Sequence, residues 1–400
     1  MTGSAVYPFG QAQPDQSVRR IRVPDRTWTL DGGWGWVYYA PGHDQLQQPI
    51  IMSDGFHLGE SDRTALYWGF ENNGEFALIT ELNQRGYDVI VLGYRDCSRS
   101  VLANAETATQ CIWQAIAESV TDTPLVVGGF SMGGLVTRYA LARMELLRMD
   151  HRVSHYFSYD TPHLGAWVPI SLQSLAWYIK PTNSALADLI DSDAARQMLW
   201  KQKTSLAADP EEHEERRKFR AELARLGDWP VRPVKIGVAN GRGDGQGNGN
   251  PPGEIGFAVT QGLYYGTELY IQGSGDPQQV AKLRTIGLFP ADKYTPGYPE
   301  LDSVAGGTLD SFAIAAATIS AVAGQQAVAP YPDVNFIPTI SALAVTGTDI
   351  GDPADLALNV DELGDDRFEL DLHRTSSANT GHTAITRELC EFILEQLPKR

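Results

Sequence analysis

The chain has 400 residues, 42% of them apolar, with 49 acidic side chains against 32 basic ones and a formal net charge of -17. Charge of that sign repels both nucleic acid and anionic membranes, so neither is an expected partner. The three cysteines, Cys97, Cys111 and Cys390, are too few for a disulfide framework and are expected as buried free thiols.

Residues 1–22 are rich in Gln, Pro and Gly and read as a loose arm. They lack a basic start followed by an apolar run, and no stretch of about 18 apolar residues occurs anywhere, so the expectation is a cytoplasmic protein without a membrane span. Thr27–Leu30 and Trp34–Ala40 read as two strands around the turn Asp31-Gly32-Gly33. Pro49–Met52 reads as a buried strand entering the loop Ser53-Asp54-Gly55-Phe56. A helix over Phe70–Arg85, stopped by Gly86, precedes a strand at Tyr87–Tyr94. A helix at Ala103–Val120, a strand at Pro124–Gly129, a helix at Gly133–Leu147 and a strand at Val153–Tyr159 follow. Strands and helices alternating in this way imply crossover units and a parallel sheet.

After Pro169 the pattern changes. Residues 170–228 read as helices, and the charged run Pro210–Lys218 is expected as a solvated helix face. Val231–Asn240 returns to strand, residues 241–254 form a Gly-, Asn- and Pro-rich loop, and Thr383–Leu397 is an amphipathic helix. The expected organisation is an arm at 1–22, a core at 23–169 and 231–400 with an insertion at about 245–330, and a helical cap or lid at 170–230.

The chemistry centres on Gly128-Gly129-Phe130-Ser131-Met132-Gly133-Gly134, which contains G-x-S-x-G between an apolar strand and a helix. In that context the serine sits on a sharp turn, and Gly129 and Gly133 are expected where a Cβ would clash as strand and helix cross. Ser131 is therefore the candidate nucleophile. The helix behind it favours developing negative charge. An oxyanion needs two preorganised donors, expected as the amides of Met132 and of Phe56 on the loop after Met52. A general base belongs on the loop ahead of the last helix. His382, in Asn379-Thr380-Gly381-His382-Thr383, fits best, with Gly381 expected to let the loop turn inward and His373 as runner-up.

The elbow motif, Asp54-Gly55-Phe56 and Thr161-Pro162-His163-Leu164-Gly165 together resemble the lipases and esterases of the α/β-hydrolase superfamily. Asp54 stands where that family carries His. The resemblance implies the α/β-hydrolase fold: a mostly parallel sheet with helices on both faces, a helical cap, and here an inserted segment before the C-terminal His. It implies an acid that orients the base. Asp244, after the strand ending near Gly241, is favoured; Asp160, closing the strand before the cap, and Asp333, ahead of Phe336–Ser341, remain alternatives. His163 and Trp167 are expected to line the substrate pocket. The implied activity is hydrolysis of a carboxylic ester through an acyl-enzyme, with no metal or organic cofactor, on a small-molecule acyl ester or thioester. A thioesterase, cyclase or acyltransferase would use the same site, and a non-catalytic binding module on the same scaffold is the third reading.

Overall fold

The computed structural model describes residues 21–72, 76–287 and 290–398. Residues 1–20 of the expected arm lie outside the described residues. The chain opens with a hairpin of β1 (Arg26–Leu30) and β2 (Gly33–Tyr38). There follow β3 (Pro49–Ser53), α1 (Arg63–Asn72), α2 (Leu78–Gln84), β4 (Asp88–Tyr94), α3 (Val101–Glu118), β5 (Leu125–Phe130), α4 (Met132–Leu146) and β6 (Val153–Tyr159). Four helices come next: α5 (Ile170–Ile179), α6 (Ala185–Ile190), α7 (Asp193–Met198) and α8 (Glu214–Arg225). They precede β7 (Val234–Arg242).

The insertion contains β8 (Ile255–Gln261), β9 (Glu268–Tyr270), β10 (Gln278–Leu283), β11 (Ala291–Thr295), β12 (Gly306–Leu309), α9 (Ser311–Ser320), β13 (Gln326–Val328) and β14 (Val334–Pro338). Short helices α10 (Thr339–Ala342) and α11 (Pro353–Leu356) lead to β15 (Leu372–Ser376) and α12 (Arg387–Gln396).

The main sheet has eight strands in the order β1-β2-β4-β3-β5-β6-β7-β15. The hairpin joins antiparallel through β2 and β4, and every pairing from β4 to β15 is parallel. A parallel sheet must be covered on both faces, and β3 shows how the sequence does it. Its residues are all buried, and alternate side chains point to opposite faces. Ile50 and Met52 pack in one core with Leu78, Ile79 and Leu82 of α2 and Leu389 and Ile393 of α12. Ile51 packs in the other with Ala108 and Ile112 of α3 and Val136 and Ala140 of α4. Truncating any of the Ile, Leu or Met side chains among these to Ala would cost about 2–5 kcal/mol.

One expectation needs correction here, and one segment left open has a definite fold. The single helix over Phe70–Arg85 is two helices, α1 beginning at Arg63 and α2 at Leu78. Asn72-Asn73-Gly74 is a run of poor helix formers that a continuous helix would have to include. The insertion, which pattern alone did not resolve, forms a five-stranded antiparallel sheet in the order β11-β10-β9-β8-β13 and a separate ribbon of β12 and β14. The small sheet lies against α5, and the ribbon lies against β7 at the carboxyl end of the main sheet. All three cysteines are buried and unbridged. Among the described residues no helix is long and apolar enough to cross a membrane.

Candidate active site

Ser131 follows the last residue of β5 and precedes α4 with φ 54° and ψ -127°. A non-glycine residue with positive φ and that ψ is strained by about 1–3 kcal/mol and persists only where its surroundings enforce it. The enforcement is visible. A Cβ on Gly129 would lie 2.3 Å from the Gly133 carbonyl carbon, and one on Gly133 would lie 2.4 Å from the Asp54 oxygen. The Ser131 amide donates to the Tyr159 carbonyl at 2.9 Å, tying the elbow to the end of β6. Met132 is the first residue of α4, where helix geometry leaves amides without an intrahelical acceptor.

The loop after β3 lies against this turn. A Cβ on Gly55 would come within 3.1 Å of the Ser131 Cβ, a tight contact that the glycine avoids. Asp54, which replaces the family's histidine, anchors the loop. Its Oδ1 accepts from the Gly55 amide at 2.7 Å. Its Oδ2 accepts from the Ser61 hydroxyl at 2.5 Å and contacts His57 Nε2 at 3.1 Å and Cys97 Sγ at 3.5 Å. Burial pushes the Asp54 carboxyl up, but His57, the Ser61 hydroxyl and the Gly55 amide outweigh it and hold the group below its ordinary value. For His57 burial acts downward, and Asp54 wins and raises it. Sequence reasoning missed His57, Ser61 and Cys97, because only folding brings Cys97 to the other two.

The acid beside His382 is Asp160. Its Oδ2 lies 2.6 Å from His382 Nδ1, and its Oδ1 accepts from the Asn240 amide at 3.0 Å. Asp160 is fully buried, and it follows β6 as Ser131 follows β5; Phe130 and Tyr159 are paired, so the two residues leave adjacent strands side by side. The favoured Asp244 is elsewhere. It sits on the surface in an ion pair with Arg242 and accepts from the Gln246 amide, and these partners hold its carboxyl down to about 2. The strand-then-Asp pattern at Arg242-Gly243-Asp244 had suggested it, but the short side chain is turned back onto its own strand by Arg242. Asp333 precedes β14, and its carbonyl accepts from Asn250; burial raises its carboxyl, and it has no contact with His382.

His382 is held by the insertion. Its amide donates to Thr308 of β12 at 2.7 Å, and the Thr380 amide donates to Asn240 at 2.9 Å. The Phe336 ring of β14 meets the imidazole edge-on at 4.9 Å. A Cβ on Gly307 would lie 2.0 Å from Asp160 Oδ2, so β12 closes over the acid as well. Gly381 is not the hinge expected of it: its φ lies outside the left-handed region, and Thr383, at φ 58°, carries the turn. The buried Nε2 of His382 has no hydrogen-bond partner among the described residues. His373, the runner-up, stacks on Phe368 at 3.7 Å on β15, away from this cluster.

Ser131 opens into a narrow apolar pocket of about 430 Å³ counted out to its mouth. Phe56, Pro162, Ala166, Val168 and Phe336 line it from the core side, and Leu189, Ile190, Ala195, Met198 and Leu199 line it from α6, α7 and the residue that follows. His163 and Trp167 do not line it. The segment after β6 is extended, so Ala166 and Val168 face the pocket while Trp167 points away. Trp167 is fully buried, donates to Asp302 at 2.6 Å and packs on Trp200. His163 lies between Ser158 Oγ and Arg138, and burial followed by the Arg138 charge drives its imidazole well below the ordinary value. Sequence reasoning used Phe336 only as a marker beside Asp333 and missed its place in β14 against His382.

No family model and no curated protein matches the chain. Among solved structures, the mature form of Bacillus licheniformis lipase BlEst2 is 14% identical over 55% of this chain and 73% of its own, with a TM-score of 0.34. Brefeldin A esterase, described as a bacterial homologue of human hormone-sensitive lipase, is 14% identical over 57% of this chain and 71% of its own, with a TM-score of 0.31. Est1E from Butyrivibrio proteoclasticus is 10% identical over 53% and 77%, also at 0.31. The fold rests on this chain's own geometry: eight strands in the order 1-2-4-3-5-6-7-15, parallel from the third onward, with a strained serine between the strand at its centre and the following helix, are the α/β-hydrolase fold.

Proposed function

We propose that this protein hydrolyses a carboxylic ester with a largely apolar acyl group through a covalent acyl-enzyme. The observation that carries the reading is Ser131, on its enforced turn and lining an apolar pocket, at the end of the strand beside the one that ends at Asp160, whose carboxylate holds His382. Ser131 Oγ attacks the ester carbonyl carbon and gives its proton to His382 Nε2. Asp160 fixes the tautomer with the proton on Nδ1 and stabilises the imidazolium. The amides of Met132 and Phe56 hold the oxyanion. Collapse expels the alcohol, which takes the proton from His382. Water, activated by the same histidine, then releases the acid and restores Ser131.

The test is covalent labelling and turnover together. A fluorophosphonate should add one adduct to the intact chain, on the peptide carrying Ser131, and Ser131→Ala should remove both the adduct and hydrolysis of nitrophenyl esters. Full turnover by Ser131→Ala would end the proposal. Turnover in the presence of alcohol or thiol acceptors separates hydrolysis from acyl transfer, because pure hydrolysis yields only the free acid.

A further inference from the structure

We propose that Asp54, His57 and Cys97 form a binding site for a borderline-soft divalent cation, with Zn2+ as its best fit, behind the loop that carries Phe56. The set is one oxygen, one imidazole nitrogen and one sulfur, and the three ligand atoms all lie within 4.8 Å of one another. Asp54 Oδ2 is 3.1 Å from His57 Nε2 and 3.5 Å from Cys97 Sγ. Ligands at about 2.0 Å for N or O and about 2.3 Å for S around a tetrahedral ion stand about 3.3 Å apart for O and N and about 3.5 Å apart for O and S. The side chains therefore already span two edges of such a tetrahedron, with the third pair of ligand atoms within 4.8 Å.

The surroundings are those a metal site requires. A ligating imidazole donates its other N–H to a carbonyl, which fixes its tautomer. His57 Nδ1 lies 3.2 Å from the Leu58 carbonyl. The Oδ1 of Asp54 is occupied by the Gly55 amide, and the Ser61 hydroxyl, which donates to Asp54 Oδ2, lies 3.3 Å from Cys97 Sγ. Binding displaces the thiol proton to solvent, and water fills the fourth position. The neighbouring Ser61 lines an open surface cleft with the acidic Glu60 and Asp62, Arg63 and the stacked Trp34 and Trp36. Because Asp54 and Gly55 lie against the elbow, the ion would fix the loop that the proposed oxyanion hole uses. That consequence rests on the function proposed above, whereas the binding itself does not.

The experiment uses the chelator-treated full chain titrated with Co2+, followed by displacement with Zn2+. One equivalent of Co2+ should give a thiolate-to-cobalt charge-transfer band that Zn2+ abolishes. Cys97→Ser should remove the band, and His57→Gln, checked for cooperative melting because His57 also pairs with the buried Asp54, should weaken Co2+ binding by at least tenfold. Cys111→Ser, a buried thiol outside the cluster, should leave the band intact. No band, or a band that survives Cys97→Ser, overturns the site. If the band behaves as stated while Ser131→Ala keeps full esterase turnover, the metal site stands and the proposed function falls.

Discussion

Gly307→Ala is the substitution that most directly tests how the insertion supports the catalytic pair. The backbone there accepts any L residue, since its φ lies outside the left-handed region. Space does not: the added methyl would sit 2.0 Å from Asp160 Oδ2 and 2.9 Å from its Cγ. Ordinary contact begins near 3.4 Å, so something must move by about 1.4 Å. The carboxylate cannot retreat freely, because its Oδ1 holds the Asn240 amide and its Oδ2 holds His382. The ribbon is equally tied, through the bonds between Thr308 and the 380–382 loop. Overpacking of this kind costs about 1–3 kcal/mol of stability, while a misplacement of about 1 Å in catalytic geometry costs about 100-fold in rate. The expected outcome is a folded protein with a lowered melting temperature whose kcat on a short nitrophenyl ester falls by about 100-fold, with KM changed far less. Gly381→Ala is the control, since a methyl there meets nothing within 4 Å. A Gly307→Ala protein that melts cooperatively and turns over within threefold of the parent would refute the argument.

Asp160→Asn should lower kcat by roughly 1,000-fold or more by presenting the wrong tautomer, whereas Asp244→Asn, removing only a surface pair with Arg242, should leave kcat within about twofold; equal losses in steady-state assays would return Asp244 to the triad. Ala195 lines the pocket from α7, so Ala195→Phe should depress turnover of long acyl esters while sparing acetate esters, and a uniform loss across a chain-length series would show that acyl groups do not enter there. Burial raises Asp302 to about 6 despite its bonds from Trp167 and Gln272. The folded state then holds this proton more tightly than the unfolded chain, so its stabilising contribution is complete below about pH 4 and lost above about pH 6, about 2–3 kcal/mol in all. Urea unfolding at pH 4 and 7.5 should show a smaller pH-dependent drop for Asp302→Asn than for the parent, and parallel drops would exclude the effect.

The parts legible in the sequence are those decided by local chemistry. The alternation from β3 to β6 has period and punctuation that propensity and burial both enforce, and the elbow at Ser131 is written in glycines whose absent Cβ atoms are where strand meets helix. His382 could be placed because the last helix is strongly amphipathic and only one histidine precedes it closely. The acid could not, because Asp160, Asp244 and Asp333 each follow or flank a strand. The choice is made by Asn240 and Gly307, residues 80 and 147 positions away from Asp160 in sequence, which no local pattern connects to it. Trp167 misled for a related reason: a tryptophan just ahead of the cap looks like lining, but in an extended segment every second side chain faces the other way, and the small Ala166 and Val168 do the lining. The Asp54–His57–Cys97 cluster depends on β4 lying beside β3, a pairing that spacing does not reveal.

Phe336 joins two properties that an enzyme designer would prefer to adjust separately. Its ring is both a wall of the acyl pocket and the edge-on neighbour of His382. Reshaping the pocket through that residue therefore moves the base, and selectivity is traded against rate at a single position. Among the described residues no hydrogen bond joins the opposite wall, on α6 and α7, to the loop that carries His382. On the proposed function, changes of chain-length preference made there would leave proton transfer untouched, so these two helices are the face along which substrate could diverge before chemistry is lost.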